Sequence, residues 1–144
     1  MSSAYVKYQV FPGNLAAKIL DLLGTAGSTA DTLKVALTNT APNVATNAVL
    51  ADITEITAHN GYSAGGASAT NVGTASGGTL TVVGTDIVFT ASGGTIGPLQ
   101  YAVLYDSTVS GGPLIAYWDY GSSITLQDGD TFTVDFGASL FTVA

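Results

Sequence analysis

From Asp31 to Thr40 the chain reads DTLKVALTNT, and its apolar residues fall at every second place. Leu33, Val35 and Leu37 lie on one side, with Thr32, Lys34, Ala36 and Thr38 on the other. A period of two belongs to a strand with one face against a core, so this segment predicts a half-buried strand ending at the turn Ala41-Pro42-Asn43. SAYVKYQVF, from Ser3 to Phe11, alternates as well, with Tyr5, Lys7 and Gln9 opposed to Val6, Tyr8 and Val10. Each side carries an aromatic residue, which fits either a strand between two layers or an arm lying on a partner. The period then changes. In LAAKILDLLG the apolar residues Leu15, Ile19, Leu22 and Leu23 recur at helical spacing, preceded by Pro12-Gly13 and a candidate N-cap, Asn14, and stopped by Gly24. A helix over 15–24 is predicted. Between Asn43 and Asn60 the pattern weakens, and VLADIT predicts at most a single helical turn.

The rest of the chain reads as strands and turns. The stretch 61–78 is rich in glycine, serine, threonine and alanine and predicts a long exposed loop. TLTVVG and TDIVFTA follow, separated by Gly84-Thr85, a hairpin signal. LQYAVLYD places Leu99, Tyr101, Val103 and Tyr105 on one face, with Gln100, Ala102, Leu104 and Asp106 on the other. LIAYWDYG is apolar or aromatic almost throughout and predicts a strand covered on both faces. After the Asp128-Gly129 turn, Phe132, Val134 and Phe136 alternate inward, and Leu140 to Val143 closes as a short strand. Strands at intervals of about 8–12 residues, broken by glycine, aspartate and proline turns, predict a mainly β chain. The expected architecture is an antiparallel β-sandwich or jelly-roll-like domain with one short N-terminal helix. Residues 1–11 are expected to form an N-terminal strand or arm and residues 12–144 a single domain.

Composition narrows the function. The chain has three lysines, no arginine and ten acidic residues, a formal charge of −7, so no basic footprint for nucleic acid or for an anionic membrane can be assembled. Without cysteine it has no disulfide framework, thiol nucleophile or thiolate zinc site. The N-terminal residues lack the basic and apolar regions of a secretory leader, and no apolar run approaches a membrane span, so synthesis in the cytoplasm is expected. Only 9% of residues are charged. Such a surface must be covered by hydroxyls, amides and small side chains, which suits a protein packed against neighbours.

Three stretches invite a chemical reading. Gly61-Tyr62-Ser63-Ala64-Gly65 spells the G-x-S-x-G of a nucleophile elbow, with His59 nearby. An elbow needs a strand before the serine, a helix after it and a histidine from elsewhere, whereas His59 is the only histidine and no helical pattern follows. Two turns, at Asn60-Gly61 and Gly65-Gly66, are predicted instead. The same glycines lack the lysine and the following helix of a phosphate cradle. Asp128 and Asp130 flank a glycine, but a calcium loop needs more oxygen ligands and a terminal glutamate, and the sole glutamate is Glu55. Tyr117, Trp118 and Tyr120 could offer a carbohydrate platform, although adjacent aromatics on a buried strand normally fill its two faces. Trp118 is expected in the core, and Tyr120, beside Gly121, at an interface. No catalytic, cofactor or metal residue is predicted.

Taken together, DTLKVALTNTAPN, NGYSAGG, LQYAVLYDS and PLIAYWDYGSSITLQDGDTFTVDF resemble a recurrent type of small virion protein from tailed bacteriophages. Its members share a helix, an IKVAL strand, a GY-x-AGG turn, an RYAVIYDD strand and a closing LI-x-Y-x-DFG and F-x-V-x-F pair. The resemblance spans about Leu15 to Val143, with Gln100 where a basic residue is usual and Ser63 where threonine is common. It implies a capsid cement or decoration protein on the exterior of the head, bridging and stabilising major capsid protein subunits. It also implies contact with other virion proteins and assembly as a homo-oligomer. Tyr5, Val6, Tyr8, Val10 and Tyr120 are then the candidate contact residues. A tail or baseplate component and a glycan-binding adhesion module are the alternatives.

Overall fold

The computed structural model describes residues 4–24 and 29–144. In chain order these form β1 (Val6–Lys7), α1 (Val10–Ala16), β2 (Leu33–Thr38), a 3₁₀ turn (Leu50–Asp52), β3 (Ala67–Ser68), β4 (Val72–Ser76), β5 (Thr79–Val83), β6 (Ile87–Thr90), β7 (Ile96–Asp106), β8 (Leu114–Leu126), β9 (Thr131–Val134) and β10 (Phe141–Val143). A five-stranded sheet has the order β1-β8-β7-β2-β3. A three-stranded sheet, β10-β5-β4, and a two-stranded sheet, β6-β9, complete the fold, and every pairing is antiparallel. The protein is mainly β with one short helix and a sandwich-like arrangement.

The main core lies where the large sheet meets the two small ones. Leu33, Val35, Leu37, Leu99, Leu104 and Trp118 from the large sheet join Val82 and Phe141 from the three-stranded sheet and Ile87, Phe89, Phe132 and Val134 from the two-stranded one. The other face of the large sheet is covered too. There Ala36, Val103, Tyr105 and Leu114 pack with Tyr8 and Ile53, and with the partly buried Val10, Val44 and Leu50. This double covering explains a departure from the sequence pattern. β2 has Leu33, Val35 and Leu37 inward as expected, yet Ala36 and Thr38 are fully buried as well, so the strand is not half-exposed. Thr38 tolerates burial because its hydroxyl bonds to the Thr54 carbonyl and accepts the Thr40 N–H.

Other elements depart from their predicted places. The helix lies upstream of 15–24. α1 takes in Pro12 and Gly13 and ends at Ala16, with Lys18 in the left-handed region at φ 61°. Ile19 N donates to Asn14 O at 3.0 Å and Lys18 N to Leu15 O at 3.2 Å, the paired bonds of a Schellman cap. Pro12 is accommodated because the first-turn N–H groups have no partner inside a helix. Leu20 and Leu22 still reach the core, but from an irregular segment. Of the predicted strand 3–11, only Val6–Lys7 is paired, against Tyr117 and Ala116, and residues 1–3 lie outside the described residues.

The predicted β5–β6 hairpin does not form, since β5 pairs with β4 and β10 while β6 pairs with β9. The tight hairpin is β4–β5, inside and just past the glycine-rich stretch expected to be a loop. Its two turn residues, Gly77 and Gly78, take φ of 60° and 81°, the double positive φ that a right-twisted two-residue hairpin requires. In β7 an irregularity between Leu99 and Tyr101 breaks the alternation read from the sequence. Leu99 therefore shares the main core with Ala102 and Leu104, while Val103 and Tyr105 face the second. The single helical turn near Leu50, the inward Phe132, Val134 and Phe136, and the closing strand stand as expected.

Candidate functional site

The residues expected to touch a partner lie mostly at the β1 end of the large sheet, and they divide sharply. Tyr8 is fully buried, its ring edge-on to Tyr117 with centroids 5.9 Å apart, and its hydroxyl has no hydrogen-bond partner among the described residues. Burial, and then the neighbouring Tyr117, push its ionisation far up. Val10 is half-buried against the second core, and Val6 is half-buried beside β8. Tyr8 thus offers no surface to a partner, and the segment lies on its own sheet rather than projecting as an arm. Tyr5 differs. It is 36% exposed and leans on Trp118 and Phe141, each with centroids 6.1 Å away, and burial of its inner side pushes the phenol up to about 12.

Beside Tyr5 opens a groove of about 610 Å³ between β1, α1 and the end of β10. Its walls are apolar, from Tyr5, Phe11, Pro12, Leu15 and Val143, with Lys7 and Thr142 as polar members. β1 is the outermost strand of its sheet. Tyr8 N donates to Ile115 O at 3.0 Å, so by the alternation of an antiparallel ladder Lys7 turns its main-chain N–H and C=O away from β8. An apolar trough alongside an unpaired edge can receive an extended segment, with main-chain bonds to the edge and side chains in the trough. Sequence periodicity alone missed this site, because its far wall comes from a helix misplaced by several residues and from the last strand.

Tyr120 stands elsewhere. Between the pairs Leu99↔Ile124 and Tyr101↔Asp119, β8 carries more residues than β7, so Tyr120 to Ser123 protrude. Tyr120 is 46% exposed with its ring edge-on to Phe132, and Asp119 Oδ1 accepts both Gly121 N at 2.7 Å and Gln100 Nε2 at 3.0 Å to shape the protrusion. The aromatic platform is not assembled. Trp118 is buried with its ring 5.6 Å from Phe136, as expected for a core residue, while Tyr117 faces Tyr8 and Tyr101 on the opposite side.

The GYSAG segment forms the two expected turns. Tyr62 N donates to His59 O and Gly66 N to Ser63 O, with Asn60, Gly61, Gly65 and Gly66 all at positive φ. Ser63 is exposed, and β3 rather than a helix follows it. The buried member is Tyr62, whose hydroxyl donates to Glu55 Oε1 at 2.6 Å and accepts Leu37 N at 2.9 Å. Glu55 also accepts Gly65 N, and Tyr105 donates to Gly65 O at 2.6 Å, so the sole glutamate anchors the glycine turn to the sheet. A Cβ on Gly66 would lie 1.7 Å from Val35 O, which explains the second glycine. Asp128 Oδ1 accepts Gly93 N and Asp130 Oδ2 accepts Gln127 N, structural work at the β8–β9 corner. Among the described residues, no group of three or more histidine, aspartate or glutamate side chains is placed to hold a metal ion.

No family model, curated protein or solved structure matches the chain.

Proposed function

We propose that this chain is a structural protein of a tailed-bacteriophage particle, a cement or decoration protein. In this reading it sits on the head exterior and bridges and stabilises major capsid subunits. The observation that carries the reading is the apolar groove beside the unpaired edge of β1, a surface suited to an extended segment of a neighbouring protein. The surface around it supports the same reading. On the outward side of the three-stranded sheet, Thr74, Thr81 and Thr142 stand in register across the strands, next to the exposed pair Val72 and Val83. Such a face carries no charge to desolvate on contact, and the threonine hydroxyls can reorient to suit a partner.

Binding in many copies needs shape and apolar contact more than steering by charge. Of the five candidate contact residues, Tyr5 alone lines the groove, together with Leu15 and Val143. Ala16→Glu places a carboxylate at the exposed rim of the groove without touching the core, and Thr142→Lys places an ammonium at the opposite rim. Both variants are expected to fold normally and to lose occupancy on particles by about tenfold or more, because a charge covered by a partner without a counter-charge is costly to desolvate. Full occupancy of both variants at wild-type concentration would show that the groove is not the contact.

A glycan-binding role has one observation in its favour, the exposed Tyr120 beside Asp119. Under that reading Tyr120→Ala abolishes polysaccharide binding and leaves particle occupancy unchanged.

A further inference from the structure

Asp106 is an aspartate buried in a place where an ordinary carboxylate is hard to keep. It ends β7, opposite Leu33 of β2, and is fully buried. Its Oδ1 accepts Thr108 N at 2.9 Å and Val109 N at 3.2 Å, shaping the turn towards β8. Its Oδ2 is buried and receives no hydrogen bond from nitrogen or hydroxyl among the described residues. What faces it is another acid, Asp31. Asp31 is itself a junction. Its Oδ2 accepts Asp21 N at 2.8 Å, its N–H donates to Asp21 O at 2.7 Å, and its carbonyl accepts Asn71 Nδ2 at 2.9 Å. Asn71 Oδ1 in turn accepts Leu33 N at 2.8 Å. Three separate stretches therefore meet at the start of β2: residue 71 through main-chain groups of Asp31 and Leu33, residue 21 through the Asp31 carboxyl and main-chain N–H, and residue 106 through the carboxyl pair.

Two carboxylates in contact can hydrogen-bond only if one of them keeps its proton. The geometry points to a shared-proton latch: Asp106 donates its carboxyl proton to Asp31, and loss of that proton releases the stretch Asp21–Gly24 and Asp31 from the end of the large sheet. Asp31 and Asp21 are the charged groups on the segments packed here. The adjoining turn, Ser107 to Gly112, carries no charged residue, and neither does Asn71. Lys34 and Tyr105, next on β2 and β7, project from the opposite face to Asp106 and cannot neutralise it. Burial first, then the hydrogen bond to Asp31, push the Asp106 carboxyl from 3.8 up to about 7, against the lowering by the Thr108 and Val109 N–H groups.

The direction of the pH effect follows. Between about pH 4 and pH 7 the latched state holds a proton that the opened state has lost, so the latch is complete below that window and weakens as pH rises through it. An Asp106→Asn variant keeps the geometry without the titration, because its amide donates to Asp31 while its oxygen still accepts Thr108 and Val109 N–H.

The test is hydrogen exchange of the Asp21, Gly24 and Leu33 amides in the full chain at pH 5, 6, 7 and 9, corrected for intrinsic rates, alongside carboxyl ¹³C titration of Asp-labelled protein. In the wild type the opening equilibrium is expected to rise about tenfold per pH unit up to about pH 7 and then level off. Asp106→Asn is expected to show a flat profile over the same range. If Asp106→Asn fails to fold, Asp31→Asn serves, since its amide donates to an ionised Asp106 and moves that titration down towards the ordinary carboxylate range. A wild-type profile identical to that of the variants, or an Asp106 carboxyl that titrates near 4 in the wild type, would overturn the latch.

Discussion

Tyr8 shows how a single side chain redirects a functional reading. Its place in an alternating strand marks it equally as a contact or a core residue, and the structure buries it completely, its hydroxyl without a partner among the described residues. A buried hydroxyl without a partner destabilises by about 1–3 kcal/mol relative to a paired one. Tyr8→Phe removes the oxygen and keeps the ring against Tyr117, so the variant is expected to match or exceed the wild type in stability by about 1 kcal/mol; chemical denaturation reads this directly. A loss greater than about 1 kcal/mol would mean the hydroxyl is bonded. At this scale much was legible. Asn60-Gly61 and Gly65-Gly66 announce their turns because positive φ leaves few other residue choices. The role of Glu55 was not legible, because its partners Tyr62 and Gly65 come together only through folding. The same holds for Asp31 and Asp106, 75 residues apart in the numbering (106 − 31), which no local pattern connects.

At the scale of elements, strands survived translation into structure better than their partners did. Period-two alternation reports a strand's faces, so β2, β9 and β10 could be read from the letters. Pairing is a long-range property, and the Gly84-Thr85 signal was outweighed by β10 pairing with β5 and β9 with β6. The helix moved for a different reason. The recurrence of Leu15, Ile19, Leu22 and Leu23 is helical, but Leu20 and Leu22 are needed in the core, and the chain turns at Lys18 to deliver them. A non-glycine residue in the left-handed region is strained by about 1–2 kcal/mol. Lys18→Gly relieves that strain at some entropic cost in the unfolded chain, and is expected to raise stability by about 0.5–1 kcal/mol in thermal or denaturant unfolding. Destabilisation by Lys18→Gly would mean that the lysine side chain, not the backbone, fixes this cap.

For the whole molecule, the covering of both faces of the large sheet and the scarcity of charge belong together. With only 9% charged residues, association through this surface is expected to rest on apolar contact and hydroxyls, and the groove beside β1 concentrates both next to an open sheet edge. The mainly β class and the single short helix were legible because strand alternation and turn residues recur throughout the chain. The groove was not, because it is made where the first strand, the helix and the last strand meet. The cement reading is tested most directly by electron cryomicroscopy, at subnanometre resolution, of purified particles from a phage encoding this chain. The account predicts density for it at regular positions over the head, with the β1 groove turned towards a major capsid subunit. Density confined to the tail, or none on the particle, would contradict it.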